Sequence, residues 1–292
     1  MTTIAAEIVA DSISAEGVRL TTLQLRYPRW IHSELMTHRV FSRNASSSRA
    51  VPVHRLIDDI ERDPAVPLFW GRNQPGMQAA AELNGDDRDR AGDAWHCALQ
   101  AALTWAREIA SAGAHKQIVN RVLEPFSHIN VVVTATEWSN FFTLRRHDDA
   151  EPHIRVLADR MFEAMTASVP KLLLPGDWHL PYVTDWTQPV GAPIDAPVRA
   201  SVARCARVSY LTHDGRVPDI VDDLALYDRL VASAPLHASP AEHQATPDRM
   251  RWSGWETPAL HGNLRGWIQF RKTLRGEKQL MVHRLPSHAN LT

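Results

Sequence analysis

Residues 37–49, Thr37-His38-Arg39-Val40-Phe41-Ser42-Arg43-Asn44-Ala45-Ser46-Ser47-Ser48-Arg49, are the densest polar cluster in a chain of 292 residues. Three guanidiniums, one imidazole and a row of hydroxyls stand there with little apolar content. A solvated surface loop accounts for such a stretch. So does an anion site, because planar Arg forks and Ser hydroxyls match the oxygens of a phosphate. On the residues alone both readings stay open.

Upstream, residues 1–30 alternate, with Leu20, Leu23 and Leu25 near a two-residue period, and this predicts a strand pair closed by Pro28. Trp30 to Met36 is helical in pattern. Downstream, residues 51–93, rich in Pro, Asn, Gly and Asp, predict an irregular insertion. An Ala-rich helix is expected from Ala94 to Ala114, stopped at Gly113, then two more over 115–141 and 149–168. Asp148 and Asp149 are the expected caps of the second. Prolines at 170, 175, 181, 189, 193 and 197 predict an extended joint rather than a regular element. Val198–Tyr210, Asp219–Ala234 and Gly262–Leu274 carry the remaining helical patterns.

Composition narrows the class. With 44% hydrophobic residues and a net charge of −1, the chain is globular and no general binder of polymeric nucleic acid. No apolar run reaches the ~20 residues of a membrane span, and the N-terminus lacks a signal-peptide pattern. Two cysteines make no disulfide scaffold, so a cytoplasmic protein is expected. Both Cys97 and Cys205 read as buried structural thiols. Glycine loops for dinucleotides or phosphates are absent. His237 and His243 are six apart with Pro240 between them, which fails helical zinc spacing, so no metal is expected. His147-Asp148 leaves a metal-dependent phosphohydrolase as a distant rival.

Thr37-His38-Arg39, seven residues, Ser47 and then Arg49 resemble the signature of the flavin-dependent thymidylate synthases, an Arg-His-Arg, seven residues, Ser and a further Arg. Pro28 stands at the spacing of a family proline. Asn120-Arg121-Val122-Leu123-Glu124-Pro125 is similar to the family's Ala-Arg-x-x-Leu-Pro segment, and Asn140-Phe141-Phe142-Thr143-Leu144-Arg145 to its Asn-Phe-Leu-x-Leu-Arg helix, with Asp148, Ala150 and Ile154 following. Two segments that open the family come last here: Ala206-Arg207-Val208-Ser209-Tyr210 and His237-Ala238-Ser239-Pro240-Ala241-Glu242-His243. The chain therefore looks circularly permuted, which folds tolerate when termini lie close together.

The resemblance implies an α+β fold, a small antiparallel sheet flanked by long helices. Residues 1–170 would be the signature and nucleotide part, 171–197 the joint and 198–292 the permuted flavin-binding part. It implies flavin- and folate-dependent one-carbon transfer to C5 of dUMP, giving dTMP, with FAD bound and methylenetetrahydrofolate and NADPH as co-substrates. A homotetramer with sites at subunit interfaces is implied too. Arg145 and Ser47 would be catalytic. Glu34, Ser46, Ser47, Ser48, Arg49, Arg121 and Arg145 would hold the nucleotide, and Thr37, His38, Arg39, Val40, Asn140, Ser209, His237, Ser239 and Glu242 the flavin.

Departures keep alternatives open. Thr37 replaces the first signature Arg, Glu34 a Gln and Ala45 a Glu, while Glu151 and His153 replace Gln and Glu after Arg145. Thr134 and Thr136 stand where Asn and Arg meet the flavin. A pyrimidine nucleotide hydroxymethylase acting on dUMP or dCMP, and a non-catalytic nucleotide-binding relative, remain in view. Residues 265–272 faintly echo the run before the signature. Arg265 or Arg271 could thus supply the guanidinium missing at Thr37, or the segment could form a helix that only covers the core.

Overall fold

The computed structural model describes residues 2–184, 186–187, 189–208, 216–232 and 236–277. The alternating N-terminal run forms β1 (Ala5–Ser14) and β2 (Arg19–Pro28), paired antiparallel with Ala6 opposite Leu25 and Ile8 opposite Leu23. A short 3-10 turn and α1 (His32–Met36) follow, and β3 (Ser42–Ala45) carries the middle of the polar cluster.

The stretch expected to be an irregular insertion holds α2 (Val53–Arg62), and α3 (Gly85–Ser111) begins at Gly85 rather than Ala94. Only the chain between them is irregular. Ser111 ends α3, and Gly113 at φ +85° lets the chain turn away. The helix expected over 115–141 breaks into α4 (Lys116–Leu123), β4 (His128–Ala135) and α5 (Ser139–Arg145). Its middle, HINVVVTA, is β-branched, fits a pleated surface and sits between β3 and β2. α6 (Pro152–Ala167) is capped by Glu151, whose carboxylate accepts from the N–H groups of His153 at 2.8 Å and Ile154 at 3.0 Å. Asp148 instead pairs with Arg155 and Asp149 with His147, so neither expected cap serves.

β5 (Lys171–Leu173), inside the Pro-rich stretch, pairs in parallel with β1 and completes a sheet of order β3-β4-β2-β1-β5. Strand alternation gives the sheet two faces. Leu23, Leu25, Tyr27, Val131 and Val133 pack against residues of α1, α5 and α6, among them Leu35, Phe141, Ile154 and Met161. The opposite face is covered by α7 (Ala196–Arg207): Cys205 and Val208 meet Val132 together with Tyr182. A separate core joins α2, α3 and α4 through Leu56, Ile60, Leu103, Val119 and Leu123.

After α8 (Ile220–Tyr227), capped by the Asp219 side chain, and a π turn comes a 3-10 turn over Ser239–Glu242. β6 (Ala245–Pro247), the hairpin β7 (Met250–Arg251) and β8 (Gly254–Trp255), and β9 (Trp267–Gln269) complete the described chain with a 3-10 turn over Phe270–Thr273. The last expected helix, Gly262–Leu274, is therefore not one. Gly262 and Gly266 have positive φ, and Trp267 and Gln269 are buried with a strand's period. The overall class is α+β, a small, mostly antiparallel sheet with helices on both faces.

Candidate active site

Arg145, in the last turn of α5, is fixed from the chain that leads into the polar cluster. Its Nε donates to His38 Nε2 at 3.0 Å, its Nη2 to Thr37 Oγ1 at 3.1 Å, and Glu34 Oε2 lies 3.5 Å from Nη1. Thr37 in turn donates to the Glu34 carbonyl at 2.7 Å. Burial, then Arg145 and Arg43, pushes the His38 pKa down. A neutral imidazole results, with Nε2 accepting and the proton on Nδ1. Burial, then Glu151, raises the pKa of Glu34 although Arg145 opposes it. A half-buried guanidinium held this way keeps one orientation and presents remaining N–H groups to a planar acceptor.

The serine half of the cluster alternates in direction. Ser46 Oγ accepts from the Asn130 N–H at 3.1 Å, and Ser48 Oγ donates to Glu124 Oε1 at 2.6 Å. Arg121 reaches the same carboxylate oxygen at 2.9 Å, while Asn120 Nδ2 donates to the Ser48 carbonyl at 2.7 Å. Ser46, Ser48 and Arg121 are thus engaged within the chain. Ser47 and Arg49 face outward, as does Arg39. Among the described residues neither Arg39 nor Arg49 has a hydrogen bond or ion pair.

The chain's last third returns to this strand. The Ser239–Glu242 turn packs against β3, and Glu242 lies near enough to Arg43 to offset the fall that burial causes in its pKa. Arg43 Nη1 donates to the His38 carbonyl at 2.6 Å, which links the turn to the Arg145 cluster. Gln269 Nε2 bridges Ser42 Oγ at 3.2 Å and the Glu242 carbonyl at 3.0 Å, and Asn263 Nδ2 donates to the Val40 carbonyl at 2.9 Å. Asn140, His237 and Ser239 are exposed; Ser209 lies outside the described residues. Arg271 pairs with Glu242 and with Glu277, and Arg265 with Glu137. Neither contacts Thr37, whose hydroxyl receives Arg145 instead.

Arg43, Asn263 and Gln269 are contributors that sequence reasoning missed. Arg43 alone had a signal, its place in the polar cluster. Thr134, at an expected flavin position, is buried and bonded to Thr22 at 2.7 Å and His243 at 2.8 Å. His153, buried, accepts from the Leu68 N–H at 2.8 Å and is structural. Cys205 is buried as expected, whereas Cys97 is exposed on α3, a correction that follows from the helix's outward face. His147 pairs with Asp149, not with its neighbour Asp148. No described helix is long and apolar enough to cross a membrane.

A family profile described as "Thymidylate synthase complementing protein" matches residues 16–171, more than half of the chain. No curated protein sequence matches. Among solved structures, the chain is similar to a UMP/dUMP methylase PolB from Streptomyces cacaoi bound with 5-Br UMP, at 19% identity and a TM-score of 0.48, covering 57% of this chain and 90% of that one. It is also similar to the flavin dependent thymidylate synthase ThyX from Helicobacter pylori complexed with FAD and dUMP, at 21% identity and a TM-score of 0.34, covering 50% of this chain and 67% of that one.

Proposed function

Because this chain belongs to the thymidylate synthase complementing protein family, we propose that it transfers one carbon to C5 of dUMP, giving dTMP, with FAD, methylenetetrahydrofolate and NADPH. The observation that carries the proposal is the convergence on Arg145 of Glu34, Thr37 and His38. In this reading Arg145 hydrogen-bonds the uracil edge and stabilises its N3-ionised form, which makes C5 the better nucleophile. Neutral His38 accepts from Nε and keeps the guanidinium plane aimed. Outward-facing Ser47 and Arg49, with Arg121, hold the nucleotide, and Ser46 and Ser48 shape the turn that presents them.

The donor set suits FAD. Arg39 is exposed and unengaged among the described residues, and Val40, Asn140, His237 and Ser239 are exposed as well. These residues, with Thr37 and Ser209, would hold the flavin, which when bound supplies reducing equivalents. The packing of Ser239–Glu242 on β3 supports a permuted chain order, with residues 171–197 as joint. By resemblance to the family, this reading includes assembly of copies as a homotetramer. We place the protein in the cytoplasm.

Incubation with dUMP, methylenetetrahydrofolate, NADPH and FAD tests the proposal by product mass. dTMP is expected. The mass of 5-hydroxymethyl-dUMP would favour hydroxymethyl transfer. Unchanged dUMP with flavin-loaded protein would overturn both.

A further inference from the structure

The sheet face away from the main core ends in a cavity of about 460 Å³ that the proposed reaction does not use. Alternation turns Gln24, Arg26, His128 and Asn130 to this face, opposite Leu25, Tyr27, Ile129 and Val131. α2 closes one side with Arg55 and Arg62, the end of α7 brings Arg207, and Arg29 enters beside Ser46 and Ser48. Five arginines line the space together with Asp58 and Asp59; Arg26 is also paired with Asp63, and Arg207 with the buried Asp223.

The positive groups are positioned by the fold. Asp59 lies 3.2 Å from Arg26 and 3.6 Å from Arg62, and Asp63 holds Arg26 at 3.1 Å. Arg29 donates to Ser127 Oγ at 3.3 Å and to the Ser46 carbonyl at 3.4 Å. Burial lowers the pKa of Arg29, which marks a guanidinium partly stripped of water.

A second observation points to a ligand. The His128 side chain is fully buried, at 0% exposure, and its Nε2 has no partner. Its Nδ1 lies 3.4 Å from Arg26 Nη2, which can only donate. Asp63 Oδ2 lies 3.7 Å from the same nitrogen, so Nδ1 already faces both a donor and an acceptor while Nε2 faces neither. A buried ring nitrogen with no partner is costly unless a polar group of a ligand meets it.

We propose that this cavity is a binding site for a phosphomonoester of mononucleotide size, with its phosphate among Arg26, Arg29 and Arg62 and a polar atom of the ligand on His128 Nε2. Guanidinium forks fit phosphate oxygens two at a time, and the volume lies in the range of small-ligand sites. The site lies across the sheet from Arg145 and does not depend on the reaction proposed above. Two sources share the chemistry: the pyrimidine nucleotide itself and a separate phosphorylated ligand.

Crystals of the full chain soaked in tungstate, a phosphate mimic, test the assignment. Density between Arg29 and Arg62 is expected. Loss of that density on adding dUMP identifies the nucleotide as source, and its persistence identifies a separate ligand. Density only at Arg39 or Arg49 would overturn the proposal. In solution, Arg62→Ala, an exposed side chain whose loss leaves the core intact, should weaken inorganic phosphate at least tenfold by calorimetry. Arg145→Ala should leave it unchanged. Phosphate binding equal to wild type in Arg62→Ala, with no shift of the His128 Nε2 resonance on phosphate addition, would refute the site.

Discussion

Arg145 is held by three neighbours that all come from one stretch of five residues, Glu34 to His38, so its effect on rate is separable from its effect on folding. Arg145→Ala should lower kcat by about 10²–10³, the usual cost of one donor aimed at developing charge, with an unchanged melting temperature. Arg49→Ala should act on KM for dUMP instead, because a phosphate contact serves ground and transition states alike. Steady-state kinetics of the two variants separates these outcomes, and near-normal turnover in Arg145→Ala would remove that residue from the mechanism. The proposed chemistry uses no thiol. Cys205 is buried in apolar surroundings that push its pKa up, and exposed Cys97 lies on α3, away from the cluster. The double variant Cys97→Ala/Cys205→Ala is expected to turn over at near the wild-type rate. Loss of all turnover in a folded, flavin-bound double variant would contradict the mechanism.

At the scale of elements, the first strand pair was legible because one face of β2 is uniformly buried: Leu23, Leu25 and Tyr27 leave a two-residue period in the sequence. β4 was not, because a strand covered on both faces reads as a continuous apolar run and has no alternation to show. The polar cluster was legible as chemistry and not as geometry. Nothing in its residue types says that Ser46 and Ser48 turn inward while Ser47 and Arg49 turn out. That follows from the pairing of Ser46 with Asn130. Likewise the Pro-rich joint hid β5 and the buried His179 and Tyr182, because proline spacing reports only what cannot be a helix. The central pair of strands should carry much of the stability. Leu25→Ala, at a site with no exposure, is expected to cost about 2–5 kcal/mol, read as a lower urea midpoint. A midpoint equal to wild type would displace β2 from the core.

For the whole molecule, the second sheet face is sealed by a polar chain that links the sheet to the last third of the sequence. Ser12 bonds His179 at 2.8 Å, His179 bonds Thr22 at 2.8 Å, and Thr134 joins Thr22 to His243. Burial holds the pKa of both histidines at about 3, against an ordinary 6.5. The unfolded chain therefore binds more protons below pH 6.5, and stability present above that pH is lost as pH falls toward 3, with a slope nearing about 1.4 kcal/mol per pH unit for each histidine. Urea midpoints from pH 7 to pH 4 should fall steadily, whereas a flat profile would mean that these rings are not buried neutral. The same seal makes the C-terminal third indispensable. A chain ending before Val198 loses α7 and the Ser239–Glu242 turn and should retain no flavin. A flavin site built where that turn meets the signature strand is tested most directly by the visible absorption spectrum of the purified chain. Bound-flavin bands, present on isolation or after FAD is added and free FAD removed, are the expected result; a folded chain that stays colourless after that treatment would contradict the account.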